Sequence, residues 1–445
     1  MLSAFANSLK IPDLRRRIFF TFGLLFICRI VTSVPTPGVD AAALQEAIAA
    51  AQRSAGGKFM GWIDLFSGGA FSNCAVGALS IWPYISASII LQLMTAVIPT
   101  LERLAREGES GRQKLTQYTR YLTLAICAVQ GYFLAWSLEN PGTMGIGRQI
   151  VTNPGFGFRL LTVVTMTTGT MLLMWLGEQL TERGIGNGIS IIITANIVSR
   201  IPMALIQGIN MFRGDTPFTV FHLVGLVLMI FLVTAGTIAL TQGQRRIPIH
   251  TAKRVVGRKV YGGQNTYMPL RVNYSGVMPI IFAGAMLAFP AMLLSRLPWQ
   301  WSKTLAAALG MGEPLYLAFY AVMILFFSYF WVATQFNPLQ IADDLKRNSG
   351  YVPGIRPGRP TAEFLDKTMT RITLIGAIFL TVIAVIPTVM ATHFGVPWLV
   401  ASFMGGTSLL IVVGVLLDTM RQIESHLLMR HYDGFLRKGR LRGRR

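Results

Sequence analysis

Residues 66–90 read FSGGAFSNCAVGALSIWPYISASII. The stretch opens on a short piece rich in Gly, Ser and Asn, then becomes a strongly apolar run. The first piece, taken with its lead-in as about 62–73, is too short to cross a bilayer, which takes about 20 mostly apolar residues in a helix. It is also too apolar for a comfortable surface loop. Irregular backbone at membrane depth is tolerated only where protein encloses it or where it lines a watery cavity. The quoted stretch therefore belongs inside a bundle of helices.

The rest of the chain supplies that bundle. Of its 445 residues 52% are apolar and only 13% charged, with mean hydropathy +0.52, whereas soluble domains carry about 25% charged residues. The net charge of +21 rests on 40 Lys and Arg. So basic a chain invites a nucleic-acid reading, but the charge lies in loops between apolar runs, as positive cytoplasmic loops do. Both readings hold together if those loops dock something anionic, such as ribosomal RNA. Cys28, Cys74 and Cys127 have neither CxxC nor His-paired spacing and read as small polarizable core residues. Residues 1–17, ending in LRRR, read as an amphipathic lead-in rather than a cleavable leader.

Ten stretches qualify as spans: 18–36, 75–98, 116–138, 157–177, 188–207, 217–241, 274–294, 315–336, 368–389 and 397–417. Pro83, Pro279 and Pro387 fall in or near them, which bundled membrane helices accommodate. With the N-terminus placed in the cytoplasm, 31 of the 40 Lys and Arg are cytoplasmic. Arg29, Arg53, Lys58, Arg148, Arg159, Arg200, Arg213, Arg296 and Lys303 make up the other nine. That bias puts both termini inside. Five spans on each side of the loop at 208–216 give two halves of opposite topology, the arithmetic of an inverted repeat. The halves are 1–207 and 208–424, followed by a basic tail at 425–445.

Among the motifs, GEQLTERGIGNGIS (177–190) carries Gly184, Gly186 and Gly188. No strand precedes it and no Lys follows as in a phosphate loop, so it reads as a tight hairpin between spans four and five. The loop QRRIPIHTAKRVVGRKVYGGQNTYMPLRV (244–272) has seven Lys and Arg, no acid, and the aromatics Tyr261 and Tyr267; it reads as a docking surface. In the loop 337–367, VPGIRPGRP is stiffened by three prolines and presents Arg356 and Arg359, a side chain suited to phosphate or carboxylate. The adjacent Asp343 and Asp344 read as solvated helix charge. Intramembrane charge is sparse. Arg29 is the main ionisable residue inside a span and is expected to snorkel to an edge. The histidines His222, His250, His393, His426 and His431 are scattered and assemble no nucleophile–base–acid set, so neither catalytic residues, a metal nor a cofactor is expected. Isoleucine pairs recur at i, i+4, Ile85 with Ile89 and Ile189 with Ile193, which places each pair on one helix face. Spacing alone does not distinguish core packing from a pore lining there.

Taken together, these motifs resemble the SecY family, the large subunits of the bacterial protein-conducting channel. VPTPGVD (34–40), FSGGAFS (66–72), PYISASIILQL (83–93), EGESGRQKLTQYTRY (107–121), QRRIPI (244–249), ADDLKRNSGYVPGIRPGRPTAEFLD (342–366) and GGTSLLIVVGVLLDTMRQIE (405–424) follow one another in the family's order. The resemblance implies an all-α membrane protein of ten helices, in two inverted pseudosymmetric halves around an hourglass pore. It implies a pore ring at Ile85, Ile89, Ile189, Ile193, Ile281 and Ile411. It implies a plug half-helix near 62–73, comprising Asp64, Leu65, Phe66, Ser67, Gly68, Gly69, Ala70, Phe71, Ser72 and Asn73. It implies a lateral gate toward lipid between the second and third and the seventh and eighth spans, where Ser86, Ser88 and Gln92 give the second span a polar aspect expected to bias the seam. Arg258, Lys259, Arg356 and Arg359 are the expected contacts for the ribosome and the SecA motor ATPase. SecE and SecG are the implied small partners. Unfolded preproteins and signal sequences are the implied clients, and the bacterial cytoplasmic membrane is the implied location. Argued without the resemblance, the rival readings are an inverted-repeat secondary transporter, a membrane enzyme, and an insertase without a pore. The missing buried charge and the missing catalytic set count against the first two.

Overall fold

Helices start where the sequence supplies a start. The computed structural model describes residues 11–40, 43–45, 61, 63–140, 150–213, 220–251, 254–256, 259–261, 265–296, 299–310 and 312–438. Helices α1 (Pro12–Ser33), α2 (Trp82–Val97) and α3 (Pro99–Arg106) each carry a proline in their first two positions, where its missing N–H costs nothing. They are followed by α4 (Glu109–Glu139), α5 (Phe156–Arg183), α6 (Gly188–Val198), α7 (Ile201–Arg213) and α8 (Val220–Gln242). Strands β1 (Gln244–Thr251), β2 (Arg254–Val256), β3 (Lys259–Tyr261) and β4 (Asn265–Arg271) come next, then α9 (Met278–Arg296), α10 (Gln300–Ala308), α11 (Pro314–Gln335) and α12 (Pro338–Arg347). The chain ends with β5 (Gly350–Tyr351), α13 (Arg359–His393), α14 (Trp398–Phe403) and α15 (Gly406–Lys438).

Among the described residues seven helical runs are long and apolar enough to cross a membrane, or eight if the bent pair α2–α3 counts as one span. Two further expected spans, 18–36 and 274–294, coincide with α1 and α9, which lie outside that count. The span expected over 75–98 is helical only from Trp82; residues 68–81 form successive turns. Hydropathy misses this because Ala75–Ile81 is apolar, yet Cys74 and Ser80 take positive φ of 44° and 52°, a conformation no helix continues through. The span at 188–207 breaks at Ser199–Arg200 and the one at 397–417 at Met404–Gly405.

Two compact units divide the chain, one of Met1–Ile206 with Ile411–Arg445, the other Gln207–Leu410. In the first, α4 and α5 pack closely, and a Cβ built on the buried Gly131 of α4 would stand 3.4 Å from Val163 Cα of α5, at ordinary contact distance. Buried hydroxyls within the helices turn back on their own carbonyls: Thr123 donates to Thr119 O at 2.7 Å and Thr119 to Leu115 O at 2.9 Å, which satisfies groups that have no water to bond in lipid. The second unit has its core where Ile280 and Ala283 of α9 meet Ile324 of α11, Leu380 of α13 and Val233 of α8. At one end of that unit stands a three-stranded antiparallel sheet of order β4-β1-β5, with Ile247 opposite Met268 and His250 opposite Tyr351. Ile247 and Leu270 pack there against Val332, Phe336, Val352, Leu365 and Met369.

Candidate functional site

The residues expected to form a plug fold inside the first unit. Residues 63–67 make a short helical turn, and the chain then winds through turns to Ile81; Trp62 lies outside the described residues. Leu65, Ser67 and Ala70 are almost wholly buried, and Phe66 stands 5.9 Å from Trp82, ring to ring. Burying Leu65 and Phe66 contributes about 1.5–3 kcal/mol each. Ser67 Oγ donates to Asp64 O at 3.1 Å and accepts from Phe71 N at 3.0 Å, while Ser72 N donates to Asp64 Oδ1 at 2.8 Å. The segment thus closes its turns with its own short polar side chains.

Two arginines and an asparagine from outside the segment complete it. Arg29 of α1 donates Nη1 and Nη2 to Gly68 O at 3.2 and 3.3 Å. Asn196 of α6 donates Nδ2 to Phe66 O at 3.2 Å and lies 3.4 Å from Ser80 Oγ. Arg200, just beyond α6, pairs with Asp64 and donates to Ser72 Oγ at 3.2 Å. Arg29 is therefore not snorkelling to an edge. Its head is held by a carbonyl of the segment, because that carbonyl lacks a helical partner and a buried cation needs an acceptor. Gly68 and Gly69 have φ of +66° and +93°. A Cβ on Gly68 would stand 2.6 Å from Arg29 Nη1 and 3.0 Å from Asn196 Cα, and one on Gly69 2.9 Å from Arg200 Cζ. Glycine here supplies both the turn and room for the two cations.

Two of the expected ring residues, Ile85 and Ile193, lie beside this segment. Ile85 and Ile193, with Phe66 and Ser67, line one small cavity of about 30 Å³. Ile85 and Ile189 also pack on the cluster of Cys28, Ile81, Leu173, Leu176, Leu180 and Ile192. Ile89 in α2, Ile281 in α9 and Ile411 in α15 are each about 5% exposed. The GIGNGIS turn sets where α6 begins: Asn187 caps it by accepting from Ser190 N at 3.2 Å, and Gly188 N donates to Thr181 Oγ1 at 2.9 Å. Gly186 N donates to Gln422 of α15 at 2.9 Å. Cys28, Cys74 and Cys127 are buried free thiols. Ser86 and Ser88 are half-buried and Gln92 exposed on α2.

The basic loops are more ordered than loops. Strands β1, β4 and β5 share one sheet, His250 pairing with both Asn265 and Tyr351, while β2 and β3 pair in a second, two-stranded one, so the two expected docking loops are joined by backbone hydrogen bonds. Arg258 lies outside the described residues, and Lys259 opens β3 opposite Val256. Arg356 is exposed in the 352–358 turns, its carbonyl accepting from Thr361 Oγ1 at 2.8 Å. Arg359 begins α13, 3.5 Å from Glu363, both side chains largely exposed. Asn196 and Arg200 were not picked out from the sequence. The available signal was that Arg200 breaks the charge bias at a span's end.

Residues 75–420 match the SecY family model. The chain is 47% identical over 437 residues to the protein translocase subunit SecY of Escherichia coli (strain K12), covering 97% of this chain and 96% of that one. Its fold matches, at TM-score 0.60 and 17% identity over 92% of this chain and 91% of the other, a SecY channel whose plug domain is described as stabilising the closed state and maintaining a membrane seal. It also matches Sec61 from the canine ribosome-channel complex of the endoplasmic reticulum, at TM-score 0.56 and 16% identity with 92% and 91% covered.

Proposed function

Since this chain belongs to the SecY family, we propose that it is the central pore subunit of a Sec translocon. In that role it conducts unfolded preproteins across the cytoplasmic membrane and releases apolar segments sideways into lipid. It is a multi-span membrane protein and a channel subunit, not an enzyme. The observation that carries the reading is the 63–81 segment, buried against α6 and held by Arg29, Asn196 and Arg200.

In this reading residues 62–73 are the plug and Ile85, Ile89, Ile189, Ile193, Ile281 and Ile411 the ring. An apolar constriction resists wetting, so ions are excluded while it is empty, and it offers no polar contact to arrest a passing chain. The ten spans form two inverted halves, 1–207 and 208–424, with both termini cytoplasmic. The plug's backbone is irregular because it lies in a funnel enclosed by protein. The lateral gate runs past Ser86, Ser88 and Gln92. Driving work comes from outside the chain, from ATP hydrolysis by SecA or from synthesis on the ribosome. Arg258, Lys259, Arg356 and Arg359 meet those partners on the sheet-bearing face, in keeping with the ribosome-bound state of one structural relative. SecE and SecG complete the complex.

Single-channel conductance in planar bilayers tests this, comparing the native complex with one lacking residues 62–73. A quiet native channel and frequent large openings in the deletion support a plugged pore. Silence from both, with the protein folded, refutes it.

A further inference from the structure

We propose that Arg200, with Arg29 and Asn196, is a latch that seats the plug, and that one face of α6 couples this latch to the pore ring. This rests on the plug reading above and names the residues that set how rarely the resting channel opens.

The first observation is charge out of place. Arg29 and Arg200 are two of the nine cations on the side of the membrane that the positive-inside bias leaves poor in them. Neither serves topology there, and both heads are turned onto the same turn of chain. Asp64 is the single charged residue in 63–73, and Arg200 pairs with it while also donating to Ser72 Oγ. Arg29 holds Gly68 O between two donors and Asn196 holds Phe66 O. Between the described residues 63–73 and α1, α6 and the residue pair that follows α6, the ties by Arg29, Asn196 and Arg200 all run through side chains. None of these is a regular backbone bond, so the seat is released when three heads let go, with no helix unfolding.

The second observation is spacing. Ile189, Ile193, Asn196 and Arg200 stand at i, i+4, i+7 and i+11, one face of a helix. The helix is regular to Val198, its cap Ser199 keeps helical φ and ψ of −62° and −17°, and Arg200 N donates to Ile197 O at 3.0 Å. That face thus bears two ring isoleucines toward its start and the plug's ligands toward its end. Ile193 and Phe66 share the lining of one cavity, so the two sets meet at the middle. A chain that pushes Ile189 and Ile193 outward moves Asn196 with them on the same helix, and carries Arg200, whose N–H is bonded onto the helix's last turn at Ile197 O, 3.0 Å. Ring dilation and plug release are then a single displacement of α6.

Resting conductance of the complex in planar bilayers separates the outcomes. Asp64→Asn removes the charge yet keeps an oxygen for Ser72 N; we expect resting openings to rise at least tenfold, and Arg200→Gln to do the same. The double variant opens no more often than the worse single one, since both delete one pair. Asp64→Glu, which restores the charge, returns the channel to within about threefold of native. A quiet Asp64→Asn beside a leaking 62–73 deletion overturns the latch and leaves the plug standing. Openings in Asp64→Glu as frequent as in Asp64→Asn overturn it too, because shape rather than charge would then be at work. A quiet deletion removes the plug reading itself.

Discussion

Adding a single methyl group to Gly68 gives the sharpest test of how the segment is seated. Its φ of +66° lies in the left-handed region, where a Cβ costs about 1–2 kcal/mol. The same methyl would stand 2.6 Å from Arg29 Nη1 and 3.0 Å from both Cα and Cβ of Asn196. The arginine head can swing away, but doing so surrenders a charged hydrogen bond to Gly68 O, worth about 1.5–3 kcal/mol. The Asn196 backbone belongs to α6 and cannot yield cheaply. Together the seat loses about 2.5–5 kcal/mol, which at about 1.4 kcal/mol per tenfold raises the unseated fraction by about two to three and a half orders of magnitude. The strain is relieved locally, because residues 68–81 are turns rather than a helix. Gly68→Ala should therefore leak in planar bilayers while its melting temperature changes little. Gly354→Ala is the control: Gly354 has φ +81° but nothing within 4 Å of an added Cβ, so it carries the backbone cost without the clash and stays quiet. A silent Gly68→Ala, or a Gly354→Ala that leaks as much, refutes the reasoning.

Two further outcomes follow from packing and charge. Gly169 of α5 lies directly under the 75–77 turn, with an added Cβ only 2.8 Å from Val76 Cγ1 and closer still to its carbonyl; Gly169→Ala should lower the melting temperature by roughly 5 °C through overpacking, whereas Gly157→Ala, with nothing within 4 Å, leaves it unchanged. With the proposed ribosome docking, Arg356→Glu should weaken ribosome co-sedimentation at least tenfold and flatten its salt dependence by about one unit of slope, with resting conductance untouched, because the side chain is exposed next to the sheet.

Hydropathy made the helices legible because a bilayer imposes one length and one polarity on every span. It failed where the chain is apolar without being helical. Ala75–Ile81 reads as the start of α2, yet positive φ at Cys74 and Ser80 and a proline at position 83 hold the helix back to Trp82. The sheet was missed for a different reason. Strand β1 does alternate, with Ile247 and Ile249 buried between exposed Arg246 and Pro248, but a proline argues against an inner strand. The register resolves the conflict: β5 reaches only His250 and Thr251, so Pro248 has β4 as its one neighbour in the sheet. Arg200 was counted by membrane side, and a count of sides says nothing about which head turns inward onto Asp64.

The seat's chemistry also explains why such a plug can be stable and still let go. A buried ion pair is weak evidence of stability, since desolvation offsets much of the attraction, and Arg200 Nε is buried without a hydrogen-bond partner among the described residues. What the three heads supply is position: one place where the acceptors Asp64, Ser72 Oγ and the Phe66 and Gly68 carbonyls are all answered at once. Leaving that place strips four polar groups of their partners. In hydrocarbon each would cost several kcal/mol, and the plug could not move. In a water-filled funnel each exchanges a protein partner for water at a net cost of about 0.5–1.5 kcal/mol, or 1.5–3 kcal/mol where a charge is involved. On the proposed plug reading, contacts of this size hold the channel closed against ions yet yield to a chain pressing on α6 where the outer side of the seat is wet.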